Sequence, residues 1–171
     1  MIQNRIVTVF GAYGHTGRFV VAELRKRGFT PILSGRDAAK LKEAGNVHPG
    51  SEVRVASVDD PASLDRALSG AMTVINCAGP FIDTAGPVID AALRASIHYL
   101  DVAAEQAAVL TVFERFASAA RDAGHESEIF AYFGVEVALS DAHAGSWIQV
   151  HAAHFATVGD HRDLIRLDRP V

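Results

Sequence analysis

The chain has 171 residues, of which 49% are apolar and 21% are charged, so it fits one globular domain with a substantial core. Its net charge of -4, spread over both signs, does not favour a nucleic-acid partner or an anionic membrane surface. One cysteine excludes an internal disulfide, and no membrane-spanning apolar stretch or signal pattern is present, so we expect a cytoplasmic protein.

Short β-branched runs alternate with helical patterns along most of the chain. In chain order we predict a strand over 5–10, a helix over 16–27, a strand over 30–34, a helix over 37–44, a strand over 52–56, a helix over 61–68, a strand over 72–76, a helix over 85–95, a strand over 97–102, a helix over 105–122 and a strand over 129–133. Glycines at 28, 45, 70 and 124 are the predicted helix stops. One further strand over 147–154 lies in a weakly patterned, charged end.

This alternation with short connections is typical of a parallel sheet covered by helices on both faces. Because crossover connections are right-handed, the sequence predicts an α/β fold with a doubly wound parallel sheet, a Rossmann-type NAD(P)-binding domain. We assign residues 1–135 to this domain and residues 136–171 to a short C-terminal extension. The extension is too short for a second domain, so we expect the substrate domain to be absent or vestigial.

A glycine-rich loop joins the first strand to the first helix. Gly11, Gly14 and Gly17 have the spacing G-x-x-G-x-x-G, which can provide a tight turn, an open path for a pyrophosphate and a helix start pointing at it. Glycines also mark ordinary strand–helix turns, but the context favours a dinucleotide loop. His15, inside the loop, can contact a phosphate or act only as a spacer.

The end of the second strand bears on the choice between NADP and NAD. An NAD site usually has Asp or Glu there, whereas this chain has Ser34, Gly35 and Arg36. Serine and arginine can bind a 2′-phosphate and glycine lets it approach, so NADP is predicted. Asp37 is the rival residue, although it can simply cap the following helix. Lys40 can assist the phosphate or be a solvated helix residue.

Two further segments lie where a dinucleotide would extend across the sheet. Asp59, after the third strand, can bind the adenine amino group, while Asp60 before Pro61 can cap the next helix. The fourth strand is followed by small residues, NCAGPF, that leave room for the ribose and nicotinamide. Cys77 is predicted to be a small buried residue rather than a nucleophile, since no base lies beside it in the sequence.

Together these segments resemble the NADP-binding domain of the saccharopine dehydrogenase-like family, which includes saccharopine reductases and trans-acting enoyl reductases. The matching stretches are GAYGHTGRFV, LSGRDAAKL, VDDPASLDRAL, VINCAGPF and GPVIDAALRASIHYLDVAAE, within residues 5–124. The resemblance implies that the loop binds the NADP pyrophosphate, that Ser-Gly-Arg binds the 2′-phosphate and that the Cys-Ala-Gly-Pro-Phe turn lies at the nicotinamide. The residues carried over are Gly11, Tyr13, Gly14, His15, Thr16, Gly17, Ser34, Arg36, Cys77, Ala78, Gly79, Pro80 and Phe81.

The resemblance implies an NADP-dependent oxidoreductase that passes hydride to or from a small or lipid-like substrate. Tyr99 and Asp101 match the family's H-Y-[VL]-D element near the nicotinamide end. Their alternative roles are structural, with Asp101 capping the next helix and Tyr99 filling the core, and we predict neither as an acid or base. Members usually continue with a large substrate or dimerisation domain, whereas HESEIF here replaces the apolar entry to it. The alternative is therefore a non-catalytic NADP(H)-binding module or redox sensor acting through a partner.

The C-terminal part is rich in histidine, with His143, His151, His154 and His161 near several aspartates. A metal site there is the weaker hypothesis, because the local pattern is that of a strand, which would turn His151 and His154 to opposite faces. We predict a solvated tail and no metal. Hydrolase, kinase and metalloprotease motifs are absent from the sequence. The oligomeric state is left open.

Overall fold

The computed structural model describes residues 5–103, 111–112, 115–116 and 130–131. Its elements are β1 (Ile6–Phe10), α1 (His15–Lys26), β2 (Thr30–Gly35), α2 (Ala38–Val47), β3 (Glu52–Val55), α3 (Pro61–Leu68), β4 (Thr73–Asn76), α4 (Phe81–Ala95), β5 (His98–Asp101) and β6 (Phe130–Ala131). The four described residues of the predicted helix over 105–122 are helical. The element order and the first five strands agree with the prediction.

The strands form one six-stranded sheet in the order β3-β2-β1-β4-β5-β6, and every neighbouring pair is parallel. The predicted doubly wound fold is thus confirmed. At the end of β1, Phe10 is paired with Ser34 of β2 on one side and with Asn76 of β4 on the other. The strand order reverses at β1, and ligands bind in such sheets at the carboxyl ends beside that reversal.

Helices cover the sheet on both faces because successive strand residues point to opposite sides. Phe10 packs with Leu64 of α3 and Val88 of α4 in one buried cluster. Its neighbour Val9 packs with Val21 of α1, Leu33 of β2 and Leu41 of α2 in a second cluster. These two layers hold the carboxyl ends of β1, β2 and β4 together, which is where the glycine loop emerges.

Two predicted helix boundaries were wrong. Gly45 does not end α2, which continues to Val47. A Cβ at Gly45 would lie 3.1 Å from Val53 Cγ2, so this glycine permits close packing of α2 on β3. Helix α4 begins at Phe81, one turn before the predicted residue 85, directly after Pro80 at the N-cap.

Four predictions fall outside the described residues: the helix stop at Gly124, the domain boundary at 135, the strand over 147–154 and the histidine-rich end. Within the described residues, no helix is long and apolar enough to cross a membrane.

Candidate cofactor-binding site

The glycine loop contacts the turn that follows β4. Gly11 has φ +84°, and a Cβ there would lie 2.9 Å from the backbone N of Ala78 and 2.9 Å from the carbonyl carbon of Cys77. A Cβ at Gly17 would collide with the carbonyl oxygen of Gly11. Two of the three glycines therefore allow close backbone contacts, one between two loops and one between the loop and the first turn of α1.

The start of α1 has the features of an anion-binding helix end. Gly14 is the N-cap, has no side chain to bond the first N–H groups, and is followed by no acidic residue in the first turn. These N–H groups lack partners inside the helix and carry the positive end of its dipole. The local geometry thus fits a dinucleotide pyrophosphate.

Two other predicted residues of the loop, His15 and Thr16, are exposed at this helix end. Arg18 lies one turn further on, and its Nη2 is 3.2 Å from Nδ1 of His15. An arginine and a histidine therefore stand beside the helix start, where they add donors next to the free N–H groups.

The residues at the end of β2 differ strongly in exposure. Ser34 is 0% exposed, and its hydroxyl has no hydrogen-bond partner among the described residues. A phosphate at the surface cannot reach this hydroxyl as the chain is folded here. Arg36 is exposed, and no ion pair within the described residues involves it. The geometry at this strand end therefore favours Arg36 over Ser34 as the phosphate ligand.

Tyr13 connects the glycine loop to the end of β2. Its ring lies directly over Gly35, where a Cβ would be 2.7 Å from Tyr13 Cε1. Lys40 Nζ lies 5.8 Å from the centre of the same ring. Gly35 thus makes room for an aromatic ring, and the side chains of Tyr13 and Lys40 stand beside the residue that precedes Arg36.

Asp37 caps α2, as its alternative role predicted. Its carboxylate accepts a hydrogen bond of 3.0 Å from the backbone N of Lys40 and lies 3.7 Å from Lys40 Nζ. The Lys40 backbone N–H is the largest cause of the lowering of the Asp37 pKa below its ordinary value. Its carboxylate is therefore engaged by the helix, which weakens its claim to be the ribose ligand of an NAD site.

The two aspartates after β3 have different surroundings. Asp60 caps α3 by accepting a hydrogen bond of 3.2 Å from the backbone N of Ser63. Asp59 is exposed, and within the described residues its carboxylate accepts one hydrogen bond, of 3.4 Å from the Ser57 hydroxyl. Asp59 consequently stays available for the adenine role that the sequence predicted.

The turn after β4 is held close to β1. The Cys77 backbone N donates a hydrogen bond of 2.7 Å to the carbonyl oxygen of Phe10. The peptide bond between Gly79 and Pro80 is cis, and both residues are exposed. Phe81, the first residue of α4, is buried. The turn therefore presents small residues at the crevice while its ends are anchored in the sheet and in α4.

Four polar side chains are buried beneath this turn: Asn76, Thr84, Tyr99 and Asp101. Tyr99 and Asp101 were singled out from the sequence, whereas Asn76 and Thr84 received no role. A polar side chain at the end of a buried strand was the available signal for Asn76. Burial, together with the neighbouring Asp101 carboxylate, raises the pKa of the Tyr99 hydroxyl above its ordinary value. Tyr99 is therefore a hydrogen-bonding hydroxyl at neutral pH, not a base.

Cys77 is predicted to be unreactive in the folded chain. Burial, with a smaller contribution from Asp101, raises the pKa of its thiol from 9.0 to about 12. Cys77 is half-buried, and its raised pKa should leave much less thiolate in the folded chain than in the unfolded chain at pH 8. Iodoacetamide labelling, followed by mass spectrometry, should therefore be much slower in native buffer than in urea. Equal rates in both would contradict a raised pKa of this half-buried thiol.

The described residues contain no group of three or more His, Cys, Asp or Glu side chains arranged to hold a metal ion. The four C-terminal histidines lie outside the described residues.

The sequence is similar to a known protein family and to several oxidoreductases. The model of the saccharopine dehydrogenase NADP binding domain matches residues 7–128. A saccharopine dehydrogenase-like oxidoreductase of Homo sapiens is 32% identical over 117 residues, which cover 58% of this chain and 27% of that protein. A probable mitochondrial saccharopine dehydrogenase-like oxidoreductase of Arabidopsis thaliana is 32% identical over 114 residues, which cover 58% of this chain and 25% of that protein.

The chain thus spans about a quarter of the length of these two relatives. The name of the Arabidopsis protein places that protein in mitochondria. A cytoplasmic location for this chain stays a prediction.

Solved structures share the fold. The triphenylmethane reductase of Citrobacter sp., complexed with NADP(H), has a TM-score of 0.55 at 24% identity, covering 69% of this chain and 46% of that one. A UDP-glucose-4-epimerase of Stenotrophomonas maltophila with bound NAD has a TM-score of 0.59 at 14% identity, covering 74% and 52%. At these identities the likeness shows the fold alone. Because the family model spans more than half of the chain, the chain belongs to the family of saccharopine dehydrogenase NADP binding domains, and its cofactor is NADP.

Proposed function

We propose that this chain is an NADP(H)-dependent oxidoreductase, in which hydride passes between the nicotinamide and a small or lipid-like substrate. The observation that carries the proposal is the contact between Gly11 and the backbone of Cys77 and Ala78. It joins the glycine loop and the turn after β4 into one surface at the point where the strand order reverses. That surface is where a dinucleotide lies in folds of this kind.

Different regions of this surface suit different parts of NADP. The N–H groups at the start of α1 suit the pyrophosphate, and Gly14 leaves the approach to them open. Arg36, with Tyr13 and Lys40 close to its strand end, suits the 2′-phosphate and the adenine. Asp59 is assigned to the adenine amino group. The turn from Cys77 to Phe81 is assigned to the nicotinamide side.

The chemistry divides between the cofactor and the chain. Bound NADPH supplies the hydride. The chain's own residues bind and orient the cofactor, and the small residues of the turn leave one side of it accessible to a substrate. Raised pKa values keep Cys77 and Tyr99 protonated at neutral pH, so neither serves as a ready base. The same raised pKa values make both groups weak proton donors, so neither is assigned the proton transfer to the substrate.

A turnover experiment tests the proposal. The 171-residue chain is mixed with NADPH and candidate imines, ketones and enoyl compounds in a stopped-flow instrument, and loss of NADPH absorbance is followed. We expect a substrate-dependent loss with at least one of these classes. A Gly14→Val variant, which should not bind the cofactor, is the matched control. Tight NADPH binding without turnover of any class would overturn the proposal for this chain.

A second candidate is a non-catalytic NADP(H)-binding module that acts through a partner. The favouring observation is that two large apolar side chains at the helix starts beside the site are about half exposed: Phe19 of α1 at 49% and Ile82 of α4 at 51%. Exposed apolar side chains beside a site can be covered by another protein or domain, although single exposed apolar residues such as Val47, at 73%, also occur elsewhere on the chain. A partner whose capture differs between NADP and NADPH would support this candidate, whereas turnover by the isolated chain would remove it.

A further inference from the structure

The buried polar side chains beneath the turn form one continuous hydrogen-bond network. Asn76 ends β4, Thr84 lies in the first turn of α4, and Tyr99 and Asp101 lie on β5. All four are buried. Buried polar groups reduce stability unless they are hydrogen-bonded, so a cluster of four in an otherwise apolar layer calls for a structural or functional explanation.

The hydrogen bonds of the network connect β5 to the turn after β4. Asp101 Oδ2 accepts a hydrogen bond of 2.9 Å from the Tyr99 hydroxyl, and Asp101 Oδ1 accepts one of 3.1 Å from the Ala103 backbone N. Asn76 Nδ2 donates to the Tyr99 hydroxyl and to Thr84 Oγ1, both at 3.2 Å. The Tyr99 hydroxyl therefore donates to one neighbour and accepts from another.

At the turn, the network binds both backbone polar groups of one residue, the N–H and the carbonyl oxygen of Ala78. The Ala78 backbone N donates to Asn76 Oδ1 at 3.0 Å, and the Ala78 carbonyl oxygen accepts from Thr84 Oγ1 at 2.5 Å. Since the Ala78 N–H needs an acceptor, the Asn76 amide can have only one orientation, with its NH₂ group towards Tyr99 and Thr84. Every donor between Tyr99 and Ala78 then has an acceptor.

Ala78 is also the residue whose backbone N lies next to Gly11 of the glycine loop. The network thus connects β5 to the place where the two cofactor-binding loops touch. Arg36, at the other end of the site, has no hydrogen bond or ion pair with any of these side chains within the described residues.

We infer that Tyr99, acting through Asn76 and Thr84, is a positioning residue that sets the Ala78 peptide for the nicotinamide half of NADP(H). The inference rests on the proposed placement of the turn at the nicotinamide. Tyr99 itself does not contact the cofactor. Removing its hydroxyl leaves an Asn76 N–H without its acceptor and Asp101 without one donor. The Asn76 side chain and the Ala78 peptide are then no longer held in one orientation.

The test compares two ligands on the same variants of the full chain. NADPH occupies both halves of the site, whereas 2′,5′-ADP carries the 2′-phosphate and the adenosine but no nicotinamide. Affinities are measured by isothermal titration calorimetry, with the fluorescence of bound NADPH as a second readout on the nicotinamide. For Tyr99→Phe we expect the Kd for NADPH to rise about tenfold and the Kd for 2′,5′-ADP to change less than about twofold.

Two substitutions at Thr84 form a matched pair of variants that tests the network without changing Tyr99. Thr84→Val keeps the shape and removes the hydroxyl, whereas Thr84→Ser keeps the hydroxyl. The valine variant should weaken NADPH binding as Tyr99→Phe does, and the serine variant should bind like the unmodified chain. Thermal melting of each variant shows whether the chain is folded.

Three results would overturn the inference. They are an unchanged NADPH affinity in folded Tyr99→Phe or Thr84→Val, an equal loss for both ligands, and an unmodified chain that binds NADPH no more tightly than 2′,5′-ADP. The equal loss would mean that the network supports the fold only. Failure of turnover would remove the proposed oxidoreductase activity without affecting these binding measurements, so the two failures are distinguishable.

Discussion

Replacing Arg36 with alanine is expected to weaken NADPH binding about ten- to a hundredfold while changing NADH binding less than about twofold. A hydrogen bond to a charged group contributes about 1.5–3 kcal/mol, which corresponds to a loss of that size. Arg36 is exposed at the end of β2, whereas the Ser34 hydroxyl beside it is buried. The selectivity for the 2′-phosphate should therefore depend mainly on this one guanidinium. Isothermal titration calorimetry with NADPH and with NADH measures both affinities.

Lys42 supplies the control for this experiment. Lys42→Ala removes the same charge from an exposed position on the neighbouring helix α2, so it should leave both affinities nearly unchanged. Arg36→Lys keeps the charge but not the planar fork and should fall between the two. An equal loss of NADPH and NADH in Arg36→Ala would mean that Arg36 does not contact the 2′-phosphate.

Replacing Gly14 with valine is expected to weaken NADPH and NADH binding equally, by more than about a hundredfold. The loss of two hydrogen bonds from helix N–H groups to the charged pyrophosphate, at about 1.5–3 kcal/mol each, accounts for that size. Gly14 has φ -69°, a value open to any residue, and it is the N-cap of α1. The backbone angle therefore adds no strain, but a Cβ at Gly14 would lie 3.2 Å from the Gly11 carbonyl oxygen, so the loop has to shift slightly while the new side chain blocks the helix start. Fluorescence titration with both nucleotides provides the measurement.

The neighbouring glycine distinguishes lost binding from lost folding. Gly11 has φ +84° and lies against the backbone of Ala78, so Gly11→Val should lower the melting temperature as well as the affinity. Ala22→Val places the same side chain on an exposed position of α1 and should keep the affinity. If Gly14→Val retained NADPH binding while folded, the pyrophosphate could not lie at the start of α1.

Local patterns predicted the first five strands to within one residue at each end. Each of these strands is a short β-branched or apolar run, and such runs are set by neighbours in the sequence. The helix boundaries at Gly45 and Phe81 depended instead on distant contacts. Gly45 lies against Val53 of β3, a contact that the chain makes only after the sheet has formed. Glycine stops a helix only where no such packing favours its continuation.

The candidate site shows the same division. The glycine spacing and the sequence Ser-Gly-Arg predicted NADP because each is a short stretch whose residue types alone indicate what it can bind. Exposure was not available from the sequence, and it separates Ser34 from Arg36 at the same strand end. Pairing was not available either, so the connection of Asn76 with Thr84 and Tyr99 came only from the folded chain.

The sequence by itself determined the element order, the parallel sheet and the cofactor class, because periodicity and glycine spacing act over a few neighbouring residues. The tertiary structure decided which polar side chains face the crevice and which lie beneath it. It brought Gly11 against Ala78, from residues that lie far apart in the chain, and tied Ala78 to β5 through Asn76. Direction and burial of a side chain depend on the element packed against it, and that element is defined only once strands and helices have assembled.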